Sequence, residues 1–232
     1  MKKKMIGLFC FVATGVLCFA LCKKYVFTTD GASEPPCEYF SEDCTCPHYR
    51  LHLQPYGDFT KEEAARIVDD LKKNMPILFD EQGLEVTILD PQPMPSMAYS
   101  KTYGRYRADS LLTYENRLKQ EGIKLMGLTH KDISTTIHGQ KDRGIIGYSL
   151  CPGQSSIVST YRISNRANTW KTVAHEFIHT LGVPHCPNDD PACIMRDAKG
   201  KAPKYAQKKG LCHDCASKAG IPIYDPKVKY IK

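Results

Sequence analysis

The chain has 232 residues, 42% of them hydrophobic and 25% charged, with 15 Pro and 16 Gly. That is enough apolar material for one domain with a real core, and it excludes a wholly disordered, fibrous or low-complexity protein. The formal net charge is +7, but residues 1–24 carry five Lys and no acid, leaving 27 basic against 25 acidic residues elsewhere; a basic excess confined to one end excludes nucleic acid as the partner class.

That end has its own logic. Lys2, Lys3 and Lys4 precede Met5–Cys22, eighteen residues without a charge, and Lys23-Lys24 follow. A charged lead and an apolar run are the parts of a secretory signal peptide, with a cut after Ala20. Eighteen apolar residues also reach the lower limit of a membrane-spanning helix, and a lipid-modified Cys22 is a third form. Each form predicts export: a secreted, periplasmic or membrane-anchored protein that touches a membrane only through residues 1–24. Residues 25–48, with Ser33-Glu34-Pro35-Pro36-Cys37 and Cys44-Thr45-Cys46-Pro47, show turn formers and no sustained period. They read as a tether clipped by a disulfide from Cys37 to Cys44 or Cys46, or with Cys37 as a latency thiol over a metal.

From Tyr49 the pattern becomes globular, and residues 49–232 read as one domain. Tyr49 to Gln54 alternates as a strand does, with Leu51 and Leu53 on one face. Thr60 and Glu63 form a capping box, and Ala64, Ile67, Val68 and Leu71 follow at helical spacing. Leu84 to Leu89 is a strand ended by Pro91, Pro93 and Pro95. Ser110 caps a second helix to about Gln120, with Leu111, Tyr114 and Leu118 on its apolar face. Ile123 to Leu128 is a strand, 138–148 a Gly- and Lys-containing connection, and Ser155 to Ile163 another strand. That last strand is either interior or an edge able to pair with an extended peptide. Ala167 to Leu181 forms the third helix.

This helix carries the chemistry. His175 and His179 stand one turn apart on one face, so both rings reach one ion. Val173, Phe177 and Leu181 lie nearly opposite and face the core, with Trp170 as an anchor. Ten residues of uninterrupted helix would put His185 roughly 15 Å from His175 along the axis. Gly182 tolerates the left-handed conformation that ends a helix, and Pro184 forbids its resumption, so the chain can return His185 beneath the same ion. Three neutral imidazoles leave a fourth position for water, the arrangement of a catalytic zinc. Glu176 is then placed as the general base for that water, while the metal polarises the scissile carbonyl. From ordinary residue usage, three His, one Glu and one Gly at these positions arise by chance on the order of once in 10⁵ chains of this length. The string, with a later Met-turn, is the metzincin signature.

The chain continues with Cys186, Cys193-Ile194-Met195 and Cys212-His213-Asp214-Cys215. In this it resembles the archaemetzincin family, most specifically over residues 155–216 and more loosely through Gly144-Ile145-Ile146-Gly147-Tyr148 and Val158-Ser159-Thr160-Tyr161-Arg162. The resemblance implies an α+β, zincin-like metzincin domain: a mixed twisted sheet, an active-site helix and a Cys-rich zinc-binding C-terminal lobe. It implies a zinc metallopeptidase with His175, His179 and His185 on the catalytic zinc, Glu176 as base and Met195 as the Met-turn. It also implies a second, structural zinc on Cys186, Cys193, Cys212 and Cys215. Six residues separate Cys186 from Cys193, more than the family usually has, and the turn Pro187–Pro191 absorbs the difference. The residues by themselves leave these four Cys open between a tetrahedral zinc and disulfides, which export favours. A zinc there would hold His185 through its neighbour Cys186.

The remaining candidates read as ordinary: His213 as a solvated residue or a substitute ligand, Asp189-Asp190 as an acidic turn or a calcium site, and His48, His52, His130 and His138 as histidines with no ligand-like spacing to a partner. The expectation is a monomeric, exported peptidase acting on peptide or protein. Its rivals are a non-catalytic zinc- or peptide-binding module that retains the fold, and a disulfide-stapled envelope protein with incidental histidines.

Overall fold

The computed structural model describes residues 49–221 except Glu81, Lys119, Gly200 and Lys201. The candidate signal or anchor, the tether and the cysteines within them lie outside the described residues. No described helix is long and apolar enough to cross a membrane.

Four parallel strands and one antiparallel strand build the main sheet. They are β1 (Arg50–Tyr56), β2 (Glu85–Ile88), β5 (Ile123–Thr129), β9 (Ser155–Ser159) and β8 (Gly147–Ser149), in the order β2-β1-β5-β9-β8, with only β8 running against its neighbour. A smaller mixed sheet holds β3 (Tyr99–Ser100), β4 (Arg105–Arg107), β6 (Ile133–Ile137) and β7 (Gln140–Ile145) in the order β3-β4-β6-β7.

Strand alternation sends side chains to two cores. Leu51, Leu53 and Val158 join a cluster with helices α1 (Lys61–Asn74) and α4 (Thr169–Thr180), whereas Tyr56 and Ile157 join one with α3 (Ala108–Leu118). The capping box forms as expected: Thr60 Oγ1 accepts from the Glu63 amide at 3.1 Å and Glu63 Oε2 from the Thr60 amide at 3.0 Å. Ala64, Ile67, Val68 and Leu71 are all buried beneath it. Short helices α2 (Ile77–Asp80), α5 (Ala202–Gln207) and α6 (His213–Lys218) complete the described chain.

Three expectations need correction. Helix α3 starts at Ala108, two residues before Ser110, and its buried face is Ala108, Leu111, Leu112 and Glu115, with Leu118 exposed. A buried carboxyl in the apolar stripe disguised the phase. The stretch 138–148 is not a plain connection but strand β7 and the start of β8; His138 and Gly139, both with positive φ, turn a hairpin from β6. Such a turn takes Gly readily, but polar Gln140–Arg143 conceals the strand. Finally, β9 ends at Ser159, where the Ser159 hydroxyl accepts the Tyr161 amide at 3.2 Å, and it is interior, between β5 and β8. The edge beside it belongs to β8.

Glu115 has a measurable consequence. It is fully buried against Tyr56, whose hydroxyl lies beside it without completing a well-formed hydrogen bond, and burial pushes its carboxyl well above the usual range. The folded value therefore exceeds the unfolded one of about 4.3. Its contribution to stability is intact below that unfolded value and is lost as pH rises through the folded one. Glu115→Gln, which cannot ionise, should melt above the parent by a margin that widens from pH 4 to 9 in thermal denaturation. A margin constant with pH would show that Glu115 does not titrate in this way.

Candidate active site

Helix α4 begins after a short 3₁₀ turn (Arg166–Asn168) in which the Asn165 side chain accepts the Ala167 amide. Trp170, Val173 and Phe177 bury one face in the main core, while Leu181 is partly covered. On the other face His175 and His179 present their rings at a centroid separation of 4.5 Å. The helix ends at Thr180, Gly182 takes φ +97°, and its amide reaches the His179 carbonyl at 2.9 Å. The reversal carries His185 to within 5.3 Å and 4.9 Å, centroid to centroid, of His175 and His179. One nitrogen from each of the three rings lies within 4.8 Å of the others.

The hydrogen bonds orient these rings. His175 Nδ1 donates to the Ile194 carbonyl at 2.8 Å and His179 Nδ1 to the Val183 carbonyl at 2.7 Å. Both Nε2 lone pairs then face one another at 3.1 Å. Two acceptors at that distance repel unless a cation lies between them, and tetrahedral zinc with bonds of about 2.0–2.1 Å sets its nitrogens about 3.4 Å apart. Burial holds all three imidazoles below their ordinary pKa, His179 at about 4, so they stand in the neutral form a metal requires. The donor set fits zinc.

Glu176, 5% exposed, points toward β8 rather than into the core. Its Oε2 accepts the Ser149 hydroxyl, and a Cβ at Gly147 would collide with its Oε1. Only glycine at 147 leaves the carboxylate its place. Burial raises this carboxyl to about 7, opposed by Ser149 and by the charge of Lys208. A base poised near neutrality is what proton transfer needs.

The four C-terminal cysteines also converge. The Sγ atoms of Cys186, Cys193, Cys212 and Cys215 all lie within 4.8 Å of one another, with Cys186 to Cys212 at 3.7 Å. Tetrahedral zinc with Zn–S of about 2.3 Å separates its sulfurs by about 3.8 Å, and a disulfide requires about 2.05 Å. All five described cysteines, the exposed Cys151 included, are free thiols. Cys215 donates to Cys193, drawing that sulfur toward the thiolate and raising its own pKa. The longer spacing after Cys186 is taken up by a turn: Asp189, φ +47°, pairs with Arg196 at 2.8 Å, and Asp190 Oδ1 accepts the Ala192 amide at 2.9 Å. Those two acids are thereby occupied as an acidic turn. Met195 is fully buried, and its carbonyl accepts the Cys186 amide at 2.9 Å.

His213 is solvent-exposed and outside the thiol cluster. His130 bridges Thr160 at 2.6 Å and Glu63 at 3.1 Å, away from both clusters. Three residues at the site carried no signal in sequence. Ser149 is one of many serines. Lys124 binds the Gly153 carbonyl at 2.6 Å and the Thr180 carbonyl at 3.0 Å at the end of α4. Lys208 sits in a Lys-rich run, yet it is 4% exposed and burial brings its ammonium down to about 8.

No protein-family model matches the chain. Among curated proteins it is similar to the archaemetzincin of Haloarcula marismortui, 27% identical over 180 residues covering 71% of this chain and 96% of that one. It is similar also to the archaemetzincin of Methanopyrus kandleri, 29% identical over 128 residues covering 53% and 70%. The crystal structure of the M. kandleri protein superposes with a TM-score of 0.62 at 25% identity, covering 75% of this chain and 94% of that one. A zinc-dependent peptidase of Methanocorpusculum labreanum shares the fold, with a TM-score of 0.58 at 18% identity over 73% of this chain and 99% of that one. In sequence and in fold, this chain is archaemetzincin-like.

Proposed function

We propose that the protein is a zinc-dependent metallopeptidase that hydrolyses peptide bonds of peptide or protein substrates. The observation that carries this reading is the convergence of three neutral imidazoles on one point, with the buried Glu176 directly following the first of them in the chain. His175, His179 and His185 would hold the catalytic zinc. When bound, that ion supplies Lewis-acid polarisation of the scissile carbonyl and acidifies water. Glu176 takes the proton of the attacking water on a carboxylate oxygen and returns it to the leaving amine. Ser149 orients the carboxylate from β8, and Gly147 leaves it room. Ile194 and Val183, through their carbonyls, keep the Nδ1–H tautomers of His175 and His179, so that Nε2 faces the ion. An intact Glu176 distinguishes this reading from a zinc- or peptide-binding module, which has no need of a base. Cys186, Cys193, Cys212 and Cys215 would hold a second, structural zinc, and Met195 would serve as the packed floor of the turn. The apolar run at 5–22 adds export to the reading.

The test is metal content by elemental analysis of the purified chain prepared without chelator, followed by a peptide-library cleavage screen. We expect two zinc per chain and cleavage that a chelator abolishes. No zinc after reconstitution would overturn the reading.

A further inference from the structure

We infer that Lys208 is a positioning residue for the catalytic ion, acting on His175 through the Ile194 carbonyl; the inference rests on the zinc reading above. Lys208 Nζ donates to Ile194 O at 2.9 Å, and His175 Nδ1 donates to the same oxygen at 2.8 Å. Both lone pairs of that carbonyl are thus occupied. The Ile194 amide in turn donates to the Gly210 carbonyl at 2.6 Å, and the Lys209 amide to the Ala192 carbonyl at 2.8 Å. Segment 208–210 therefore lies along 192–194 and pins the Ile194 peptide through both its N–H and C=O groups. The residue before that peptide is Cys193 of the thiol cluster, and the carbonyl of the residue after it, Met195, receives the Cys186 amide. One short turn joins the two centres, and Lys208 is its side-chain fastening.

If volume alone were needed, an apolar side chain would fill the place of Lys208 without the cost of desolvating an ammonium. The ammonium instead grips the group that sets the tautomer and rotation of a ligand imidazole. Losing the direct partner of a ligand imidazole typically weakens metal binding by about 10–100-fold, and Lys208, one bond further out, acts at the lower end of that range. Repulsion between the ammonium and the ion acts in the opposite direction, so the two effects are separable by sign.

The probe is cobalt(II) titrated into the full chain. Thiolate-bound cobalt has intense charge-transfer absorption that imidazole-bound cobalt lacks, so the two sites are read separately. Lys208→Met should bind cobalt at the histidines about tenfold more weakly than the parent, with a shifted ligand-field spectrum. Lys208→Arg, which keeps charge and donors, should restore affinity to within about twofold. Lys171→Met removes another buried lysine, one that donates to the Ala206 carbonyl at 3.2 Å, and should leave cobalt affinity unchanged. Equal or tighter binding by Lys208→Met, or the same loss in Lys171→Met, overturns the inference. If Lys208→Met does not fold, Lys208→Leu, which likewise has no donor, carries the same comparison. A parent chain that takes up no cobalt at its histidines overturns the zinc reading itself, a result distinct from either.

Discussion

Glu176→Gln is expected to lower turnover of a cleaved peptide by roughly 10²–10⁴-fold, the usual contribution of general acid–base catalysis, while metal content stays at the parent level. The substitution suits the site. Glutamine has nearly the size of glutamate, so it fits against Gly147, and its carbonyl can still accept the Ser149 hydroxyl. What it lacks is a carboxylate able to take a proton. Because Glu176 belongs to neither ligand set, the ions give the control: intact stoichiometry with collapsed turnover assigns the loss to the base. Unchanged turnover with metal in place would exclude Glu176 from the mechanism, and lost metal would make it a structural residue of the site.

The second large effect is expected from Cys215→Ser. Cys215 is fully buried, and a hydroxyl is a poor replacement for a thiolate on zinc. Structural zinc in small peptides is bound by about 10–16 kcal/mol, comparable with the total stability of a domain, about 5–15 kcal/mol. Here the lobe shares its core with α1 and α4, so part of the fold survives without the ion. A loss of even about 3–5 kcal/mol lowers the melting temperature of a chain this long by on the order of 10 °C. The variant should melt that much lower, with hydrogen exchange accelerated over residues 186–216. Reagents separate the two chemistries of these cysteines. If they hold zinc, a chelator lowers the melting temperature of the parent and a reductant does not. If they form disulfides, a reductant lowers the melting temperature of the parent, and a chelator lowers that of the parent and of Cys215→Ser equally by stripping the histidine site alone.

Much of this site is legible in the residues because its determinants are local. The i, i+4 histidines follow from helical periodicity. Gly182 and Pro184 dictate where the helix stops, and Glu176 is fixed by its adjacency to His175. The capping box at Thr60 and Glu63 and the stripe from Ala64 to Leu71 are local in the same sense, and they appear where the pattern puts them. The phase of α3 was hidden because Glu115, a residue that ordinarily faces water, occupies a core position. The β6–β7 hairpin was hidden because β7 is polar, so alternation gave no strand signal. The interior place of β9 depends on strand order, which no single segment encodes.

Which distant groups meet depends on packing between elements. Ser149 and Gly147 reach Glu176 because β8 folds back against β9, and Lys208 reaches His175 through a carbonyl on another loop. Spacing along the chain names atoms that can lie on one face of one element. Hydrogen bonds between elements, and the burial that shifts the carboxyls of Glu115 and Glu176, arise only when the elements pack.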